Sequence, residues 1–388
     1  MYQVIHSDVL TAISKYPLYG FRLKNISTGV LYEINEIFYV SSEANSTTQS
    51  DDIEFGAVIS QSLKVNMPII SDSLLGNRFK FEVYLKKRIN TPITYGDLKI
   101  FTYFTLQNER IIGEVLRGEL IPMGKFTCVR HRKRGGTSEL ELYDRLYFTN
   151  DIYVPSSDIV FPATSQQIED DICSQIGCTN GNQYSESFYL CDIDGKNLYD
   201  SEDNRLKTKS YAFEISQIPE NCSRRQMLSY IASANGQFGY IDRYGHYVRK
   251  WYDIGSSTNI GNQSIDEPII SAKSNRIIGC ICRVPSLNGG QESTLTAGNT
   301  DKTQGRVIEF ENPYMTQSLI DSLFMNTKWL KWYTAEINQR IGDPRYDLGD
   351  MLQYNFYAKI PITGLRNTCD GGFKTEITAV GLNGEELL

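Results

Sequence analysis

Apolar and polar residues alternate along residues 79–83, and this period of two is typical of a strand with one face in solvent. Similar runs recur through the first part of the chain, where a turn at 27–29 also predicts a hairpin. Polar residues 41–52 predict a loop. The strands predicted here are Phe21–Lys24, Val30–Glu33, Ile53–Phe55, Ala57–Met67, Phe79–Leu85, Ile111–Leu116 and Lys125–Arg130.

The period changes from about residue 155. Thr164 and Gln167 form a capping-box pattern, and Ser223 with Gln226 form a second one, so each pair predicts the start of a short helix. Residues 238–241 and 246–251 flank a glycine-containing turn and predict a hairpin. This region is therefore predicted to be a small α+β unit.

The last part of the chain returns to strands and includes one amphipathic segment, which predicts a helix at about Thr316–Trp332. The strands predicted in this part are Arg276–Val284, Gly305–Phe310, Tyr354–Ile362 and Phe373–Val380.

The pattern as a whole predicts an α+β protein that is mainly β, with domains at 1–154, 155–255 and 256–388. The two strand-rich domains must protect their edges by closing into barrels or by pairing with another subunit. Glu54–Ala57 and Asp347–Asp350 both place an acid, an apolar residue and a glycine before an extended run. This echo indicates a duplicated barrel or a chance similarity.

Composition and charge reduce the number of possible function classes. The chain has 388 residues and a formal net charge of −7, which argues against a protein whose main task is to grip nucleic acid. No apolar run is long enough for a transmembrane helix and no secretory signal is visible, so we expect a soluble protein made in a cytoplasm without stable membrane insertion.

One concentrated basic run stands out, formed by Arg130, Arg132, Lys133 and Arg134 with a histidine between the first two. It could contact phosphates or an acidic partner. Alternatively it is a solvated loop that turns at the two following glycines.

No catalytic constellation is visible. A cysteine–histidine pair could be built from Cys173, Cys191 or Cys222 with His246, but no local signature supports one. The cysteine spacings do not favour zinc, the Asp192–Asn197 segment lacks the ligands of a calcium loop, and the acids at 169–171 fit the N-terminal half of a helix. We therefore expect no enzyme activity, no cofactor and no metal.

Several short segments carry a resemblance to one protein family because of their order along nearly the whole chain. They are Ile121–Phe126, Leu140–Leu146, Phe161–Thr164, Arg225–Ala232, Gly236–Phe238, Ile241–Gly245, Asn312–Thr316 and Gly342–Asp350. In this order they resemble the tail hub (baseplate hub) proteins of long-tailed bacteriophages and related contractile injection particles.

The resemblance implies two tube-protein-like barrels flanking the small α+β domain, and a homotrimer whose six barrels match a six-fold tail tube. It also implies a place in the virion tail tip. Partners would be a tail tube or distal tail protein, a tape-measure protein and a three-fold spike or fibre, with DNA only in transit. Many relatives continue into a peptidoglycan-cleaving domain, whereas this sequence ends after its last predicted strand. We therefore expect a separate polypeptide to supply any such activity.

Two other functions stay open at this stage: a tail-associated peptidoglycan hydrolase and a glycan-binding tail adhesin. For a hub, we expect acidic side chains of the strands to face the DNA channel and the basic run to point away from it, toward a neighbouring tail protein.

Overall fold

The computed structural model describes fourteen stretches of the chain. They are 18–32, 39–45, 53–70, 72–86, 120–182, 187–189, 207–209, 212–253, 257–260, 268–287, 290–339, 342–354, 358–369 and 373–381. Within these residues no helix is long and apolar enough to cross a membrane.

The described elements confirm a mainly β chain of the α+β class. The strands are β1 Leu18–Asn25, β2 Leu31–Tyr32, β3 Tyr39–Asn45, β4 Val58–Ile59, β5 Gln61–Pro68, β6 Arg78–Lys86, β7 Ile121–Arg134, β8 Thr137–Tyr143, β9 Ala163–Thr164, β10 Thr179–Asn180, β11 Ser187–Tyr189, β12 Lys207–Lys209, β13 Glu214–Ile215, β14 Phe238–Ile241, β15 His246–Lys250, β16 Thr258–Asn259, β17 Ile269–Val284, β18 Ser293–Gly298, β19 Arg306–Glu311, β20 Lys331–Gln339, β21 Met351–Tyr354, β22 Ala358–Pro361, β23 Gly364–Cys369 and β24 Phe373–Ala379. The helices are α1 Ser165–Ile176, α2 Arg224–Ala234 and α3 Gln317–Thr327, with a 3-10 helix at Arg145–Thr149.

One 13-stranded sheet contains strands from both ends of the chain. Its order is β18-β17-β20-β24-β23-β3-β5-β8-β7-β6-β1-β2, with β19 pairing in parallel to β17. β3 and β23 join the two groups of strands in an antiparallel ladder. A four-stranded sheet has the order β10-β15-β14-β4. Its hairpin β14–β15, together with α1 and α2, is called the helix-hairpin unit below.

The predicted closed barrels are not found among the described residues, because the strand order of the large sheet is open at both ends. The sheet is nevertheless strongly curled. The rings of Phe21 on β1 and Phe373 on β24 lie 6.3 Å apart, although six other strands separate β1 from β24 in the order. The curl encloses a core without closing the hydrogen-bonded ladder.

The described residues form three hydrophobic cores. One fills the curl of the N-terminal strands and also takes in Cys369 and Phe373 from the C-terminal group. A second packs α1 and α2 against the hairpin β14–β15. The third lies among the C-terminal strands and α3, and includes residues 53, 55 and 59. The domain limits at 154 and 255 stay a prediction, and these shared cores join the segments on either side of them.

Both predicted capping boxes are confirmed. The Thr164 side chain accepts from the backbone N–H of Gln167, whose side chain in turn accepts from the backbone of Thr164, and Ser223 and Gln226 do the same at α2. These reciprocal bonds satisfy donors at the helix start that have no partner within the helix.

Several predicted elements were wrong in extent or type. Residues 53–55 form no strand, and the predicted loop at 41–52 overlaps β3. The predicted helix to Trp332 ends at Thr327, because Trp332 belongs to β20. The single strand predicted at 354–362 is instead part of the β21–β22 hairpin. The strand predicted at 111–116 lies outside the described residues.

The turn at Gly56 packs directly on α2. Gly56 has a positive φ of 79° and donates its N–H to the carbonyl of Gln237 at 2.8 Å. A Cβ at this position would lie 2.6 Å from the carbonyl oxygen of Ser229 and 2.8 Å from the Cβ of Ser233. Phe55, just before it, is buried in the C-terminal core.

The turn at Gly349 has the same design. Its φ is 76°, its N–H donates to Ile362, and a Cβ would lie 2.7 Å from the ring of Phe238 and 2.6 Å from the side chain of Lys250. Leu348, just before it, is buried in the same core as Phe55. The two echoing segments therefore share a left-handed glycine after a buried apolar residue, one packed on α2 and the other on the β14–β15 hairpin.

We expect Gly56→Ala to destabilise the protein by about 3 kcal/mol. A non-glycine residue in the left-handed region costs roughly 1–2 kcal/mol, and the clash with α2 adds roughly another 1–3 kcal/mol. Gly76→Ala is the matched control, since Gly76 has φ 77° with open space around it. Urea unfolding of both variants measures the difference, and equal losses would contradict tight packing of the turn on α2.

Candidate interaction surface

The basic run lies on a strand. The sequence suggested a loop for Arg130, Arg132, Lys133 and Arg134, but all four belong to β7. Only the next two residues make the turn to β8, both glycines with positive φ (58° and 83°). Positive φ at both central positions is the geometry of the two-residue hairpin turn that matches strand twist. The basic side chains therefore have fixed cross-strand neighbours.

Two of the four basic residues have an acidic neighbour in the next strand. Arg130 pairs with Glu141 and Arg132 with Glu139 in the β7–β8 ladder, and Lys64 on β5 pairs with Glu141 from the other side. Arg130 Nη1 lies 3.4 Å from Glu141 Oε1. Ion pairs this exposed contribute little to stability, ~0–1 kcal/mol. Their main effect is to lower the net charge of this face.

This register also determines which charges share a face. Glu139 and Glu141 lie on the same sheet face as Arg132 and Arg130, because directly paired residues lie on the same side. Which of these side chains face a channel stays a prediction. Arg134 lies next to the turn of the β7–β8 hairpin, which is called the tip below. It pairs with Thr137 rather than with an acid. Positive charge is therefore concentrated at the tip.

His131 points away from this charged row. Its Nε2 lies 3.0 Å from Ser138 Oγ, and its Nδ1 accepts the backbone N–H of Leu74 at 3.4 Å. Burial, and then the charge of Lys133, lower the pKa of His131. The histidine therefore holds the 72–77 turn on β7 in its neutral form and adds no charge to the surface.

A buried carboxylate joins the large sheet to the helix-hairpin unit. Asp144 follows β8, and its Oδ1 accepts from Ser60 Oγ at 2.7 Å and from the N–H of Leu146 at 3.0 Å. Its Oδ2 accepts the N–H of Gln61 at 2.7 Å. Burial raises the pKa of Asp144 to about 6, and the three donors and Arg225 oppose the rise.

Arg225 on α2 completes this joint. Its guanidinium donates to the carbonyls of Val58 at 2.6 Å and Leu146 at 2.8 Å, and to the side chain of Asn150 at 3.1 Å. One side chain thus binds β4, the 3-10 helix and the loop after it. Both residues lie in segments that carry the resemblance, but no sequence pattern gave either of them a role.

Polar contacts of Arg243 also hold the turn end of the β14–β15 hairpin. Arg243 in the β14–β15 turn donates to the carbonyls of Pro344 and Tyr346. Its Nε lies 3.8 Å from Asp347 Oδ2, which also accepts from the hydroxyl of Tyr240 at 3.3 Å. This links the hairpin to the turn that contains Gly349.

The candidate catalytic residues are not assembled into a site. His246 Nδ1 lies 3.2 Å from Asp242 Oδ2, and no hydrogen bond joins it to a described thiol. Cys222 is buried, which raises its pKa to about 11, and Cys173 is buried in α1. Cys191 lies outside the described residues.

The acidic cluster at 169–171 serves structure. Glu169 forms a fully buried ion pair with Arg249 at 2.6 Å, and Asp171 accepts from the hydroxyl of Tyr153 at 2.7 Å. Asp170 accepts from Asn180 at 2.8 Å. Among the described residues no group of three or more potential ligands could hold a metal ion, and the segment 192–197 lies outside them.

Two solved structures are similar to this chain over most of its length. The 43 kDa tail protein of prophage MuSo2 from Shewanella oneidensis is 12% identical with a TM-score of 0.46, covering 93% of this chain and 98% of that chain. Prophage tail protein gp18 from Listeria monocytogenes EGD-e is 10% identical with a TM-score of 0.40, covering 94% of this chain and 95% of that chain. No family model and no curated protein matches the sequence.

We expect Asp144 to make the protein less stable as the pH rises from about 4 to about 6. The folded state keeps the proton that the unfolded chain releases near pH 3.8, so unfolding is increasingly favoured across this window and the effect is complete above it. A shift of about two units corresponds to roughly 3 kcal/mol.

The measurement is the free energy of unfolding of the wild type and Asp144→Asn across that pH range. The difference in unfolding free energy between the wild type and Asp144→Asn should change with pH in the stated direction. All other titratable groups are present in both proteins, so their contributions cancel in this difference. Ser60→Ala removes a donor to the carboxylate and should move the window to higher pH. A difference that stays constant would show that Asp144 has its ordinary pKa.

Proposed function

We propose that this chain is a structural hub of a bacteriophage tail. Three copies form a ring that joins a six-fold tail tube to a three-fold spike or fibre, and DNA passes through the ring during ejection. The neighbours are a tail tube or distal tail protein, a tape-measure protein and a spike or fibre protein. The chain belongs to the tail tip and is assembled in the host cytoplasm.

The observation that carries this proposal is the pair of similar turns at Gly56 and Gly349. Each has a left-handed glycine after a buried apolar residue, each packs on the helix-hairpin unit, and each precedes strands. A subunit with two such similar parts gives six from three copies, as a connector between six-fold and three-fold symmetry requires. In the complete subunit each part would contribute one tube-like barrel.

The charge pairing of the sheet supports the passage of DNA. Phosphates bind to clustered Lys and Arg, with affinity that grows with the number of contacts. Lys64, Arg130 and Arg132 each have a glutamate as cross-strand neighbour, so this face offers phosphates few uncompensated charges. The basic tip around Lys133 and Arg134 suits contact with an acidic neighbouring tail protein.

A non-enzymatic role is consistent with where the reactive side chains lie. His246 is engaged with Asp242, and Cys173 and Cys222 are buried within the helix-hairpin core. A peptidoglycan hydrolase would clear cell-wall substrate in zymography, and an adhesin would bind glycans or cells as isolated protein. We expect neither.

The copy number in the particle tests the hub directly. Virions that carry this chain are purified, and its peptides are quantified against labelled standards and the major tube protein. We expect three copies per particle and antibody labelling at the tail tip. Absence from the particle, or one or six copies, would refute the proposal.

The charge pairing gives a second prediction. Glu139→Gln with Glu141→Gln removes the acids between the basic side chains and should create binding to duplex DNA at about 50 mM salt that is lost by about 200 mM. Glu220→Gln with Glu292→Gln is the control, because it makes the same change in net charge at exposed sites away from this hairpin. Fluorescence anisotropy of a labelled duplex measures both, and equal binding by the two variants would show that the pairing on this face has no such effect.

A further inference from the structure

Two cysteines meet at the end of α1. The helix ends at Gly177, which has a φ of 72°, and the N–H of Cys178 donates to the carbonyl of Cys173 at 2.9 Å. The N–H of Gly177 donates to the carbonyl of Ser174 at 3.1 Å. These two bonds define a Schellman motif, in which the side chains at the positions of Cys173 and Cys178 normally make an apolar contact.

Here both of those positions are cysteines, so the motif places two thiols where the apolar contact normally lies. The backbone bond between the two residues fixes their relative position, so their side chains lie side by side at the helix end. Both cysteines are in the thiol form in this structure. The pair has no role in the proposed hub contacts.

The two thiols differ in their surroundings. Cys173 is 1% exposed within the helix-hairpin core, whereas Cys178 is half-buried at the edge. The neighbouring thiol and burial raise the pKa of Cys173, whereas the neighbouring thiol, the backbone at Tyr247 and Arg145 lower that of Cys178. Because Cys178 is the more exposed of the two, it is the thiol that an oxidant reaches first, and Cys173 is the resolving thiol.

The other described cysteines lack this arrangement. Burial raises the pKa of Cys128 to about 11 and those of Cys280 and Cys282 to about 12, and raises that of Cys369 well above its ordinary value. Cys280 and Cys282 are two residues apart on one strand, a spacing of about 6.6 Å along the backbone that keeps their sulfurs apart. Among the described thiols, only the α1 pair combines contact with partial exposure.

We infer that Cys173 and Cys178 are an oxidation site, a dithiol that closes to a disulfide when the protein meets a small-molecule disulfide. The Cys178 thiolate attacks one sulfur of the oxidant, forming a mixed disulfide and releasing one thiolate. The Cys173 thiol then attacks the Cys178 sulfur, forming the intramolecular disulfide and releasing the second thiolate and a proton. The protein loses two electrons and two hydrogens, which the oxidant takes up.

The product would join the end of α1 covalently to the residue just before β10. β10 pairs with β15, so the cross-link would fix the helix to the four-stranded sheet. This disulfide would form without a change in fold, unlike a disulfide that forms only when the protein unfolds.

The experiment treats the folded full-length protein with an aromatic disulfide reagent whose released thiolate is coloured, at neutral pH. We expect a fast phase that releases two equivalents of thiolate per chain while no reagent stays attached. Remaining thiols are then blocked with N-ethylmaleimide. Cleavage after glutamate yields residues 170–186, which contain only these two cysteines, and this peptide should be two hydrogens lighter and unblocked.

Two variants make the assignment specific. Cys178→Ser should abolish the fast phase, and Cys173→Ala should keep one fast equivalent but retain the reagent on Cys178 as a stable mixed disulfide. Cys222→Ala, which removes a separate buried thiol, is the matched control and should behave as wild type. The inference fails if wild-type peptide 170–186 is recovered fully blocked, or if Cys173→Ala still releases two fast equivalents.

Discussion

The antiparallel pairing of β3 with β23 is the contact on which the architecture depends. It places Asn45 opposite Gly364, and so joins strands from the two ends of the chain in one ladder. Without it, the N-terminal and C-terminal groups of strands would each expose an unpaired edge, which invites association with other chains. The same pairing brings Cys369 and Phe373 into the N-terminal core, so that neither group of strands has a core entirely of its own.

Local signals predicted the elements whose stability is local. Both capping boxes and the β14–β15 hairpin were found from the sequence, because the residues that start or turn them are neighbours in the chain. The same reasoning failed where a strand that is distant in the sequence determines the conformation of a segment. Trp332 continues the apolar pattern of α3, but β20 pairs with β24 and the Trp332 Nε1–H donates to the carbonyl of Val380 at 2.7 Å, so the residue lies in a strand. The open, curled sheet was not predictable either, since a curl and a closed barrel bury the same alternating residues.

The candidate surface shows the same division. The sequence identified the basic residues, but a run of charge says nothing about its conformation or neighbours. Because the run forms a strand, its side chains alternate between the two faces of the sheet. His131 therefore points inward, and Arg130 and Arg132 point outward, each opposite an acid of β8. The joint at Asp144 was missed because two of its donors, Ser60 and Gln61, come from the start of β5 and the residue before it, far away in the sequence. Cross-strand register, which no single-segment pattern encodes, therefore determines the electrostatics of both places.

Directional polar contacts attach the helix-hairpin unit to its surroundings. Arg225 and Asp144 hold one side of it, Arg243 holds the hairpin turn, and the buried pair of Glu169 with Arg249 fixes α1 on β15. Burying such charges costs desolvation energy that their mutual attraction only partly returns, so they add less stability than an apolar contact of the same size would. What they do add is geometry: a hydrogen bond tolerates less sliding or rotation than apolar packing does. A unit attached in this way keeps one orientation relative to the sheet.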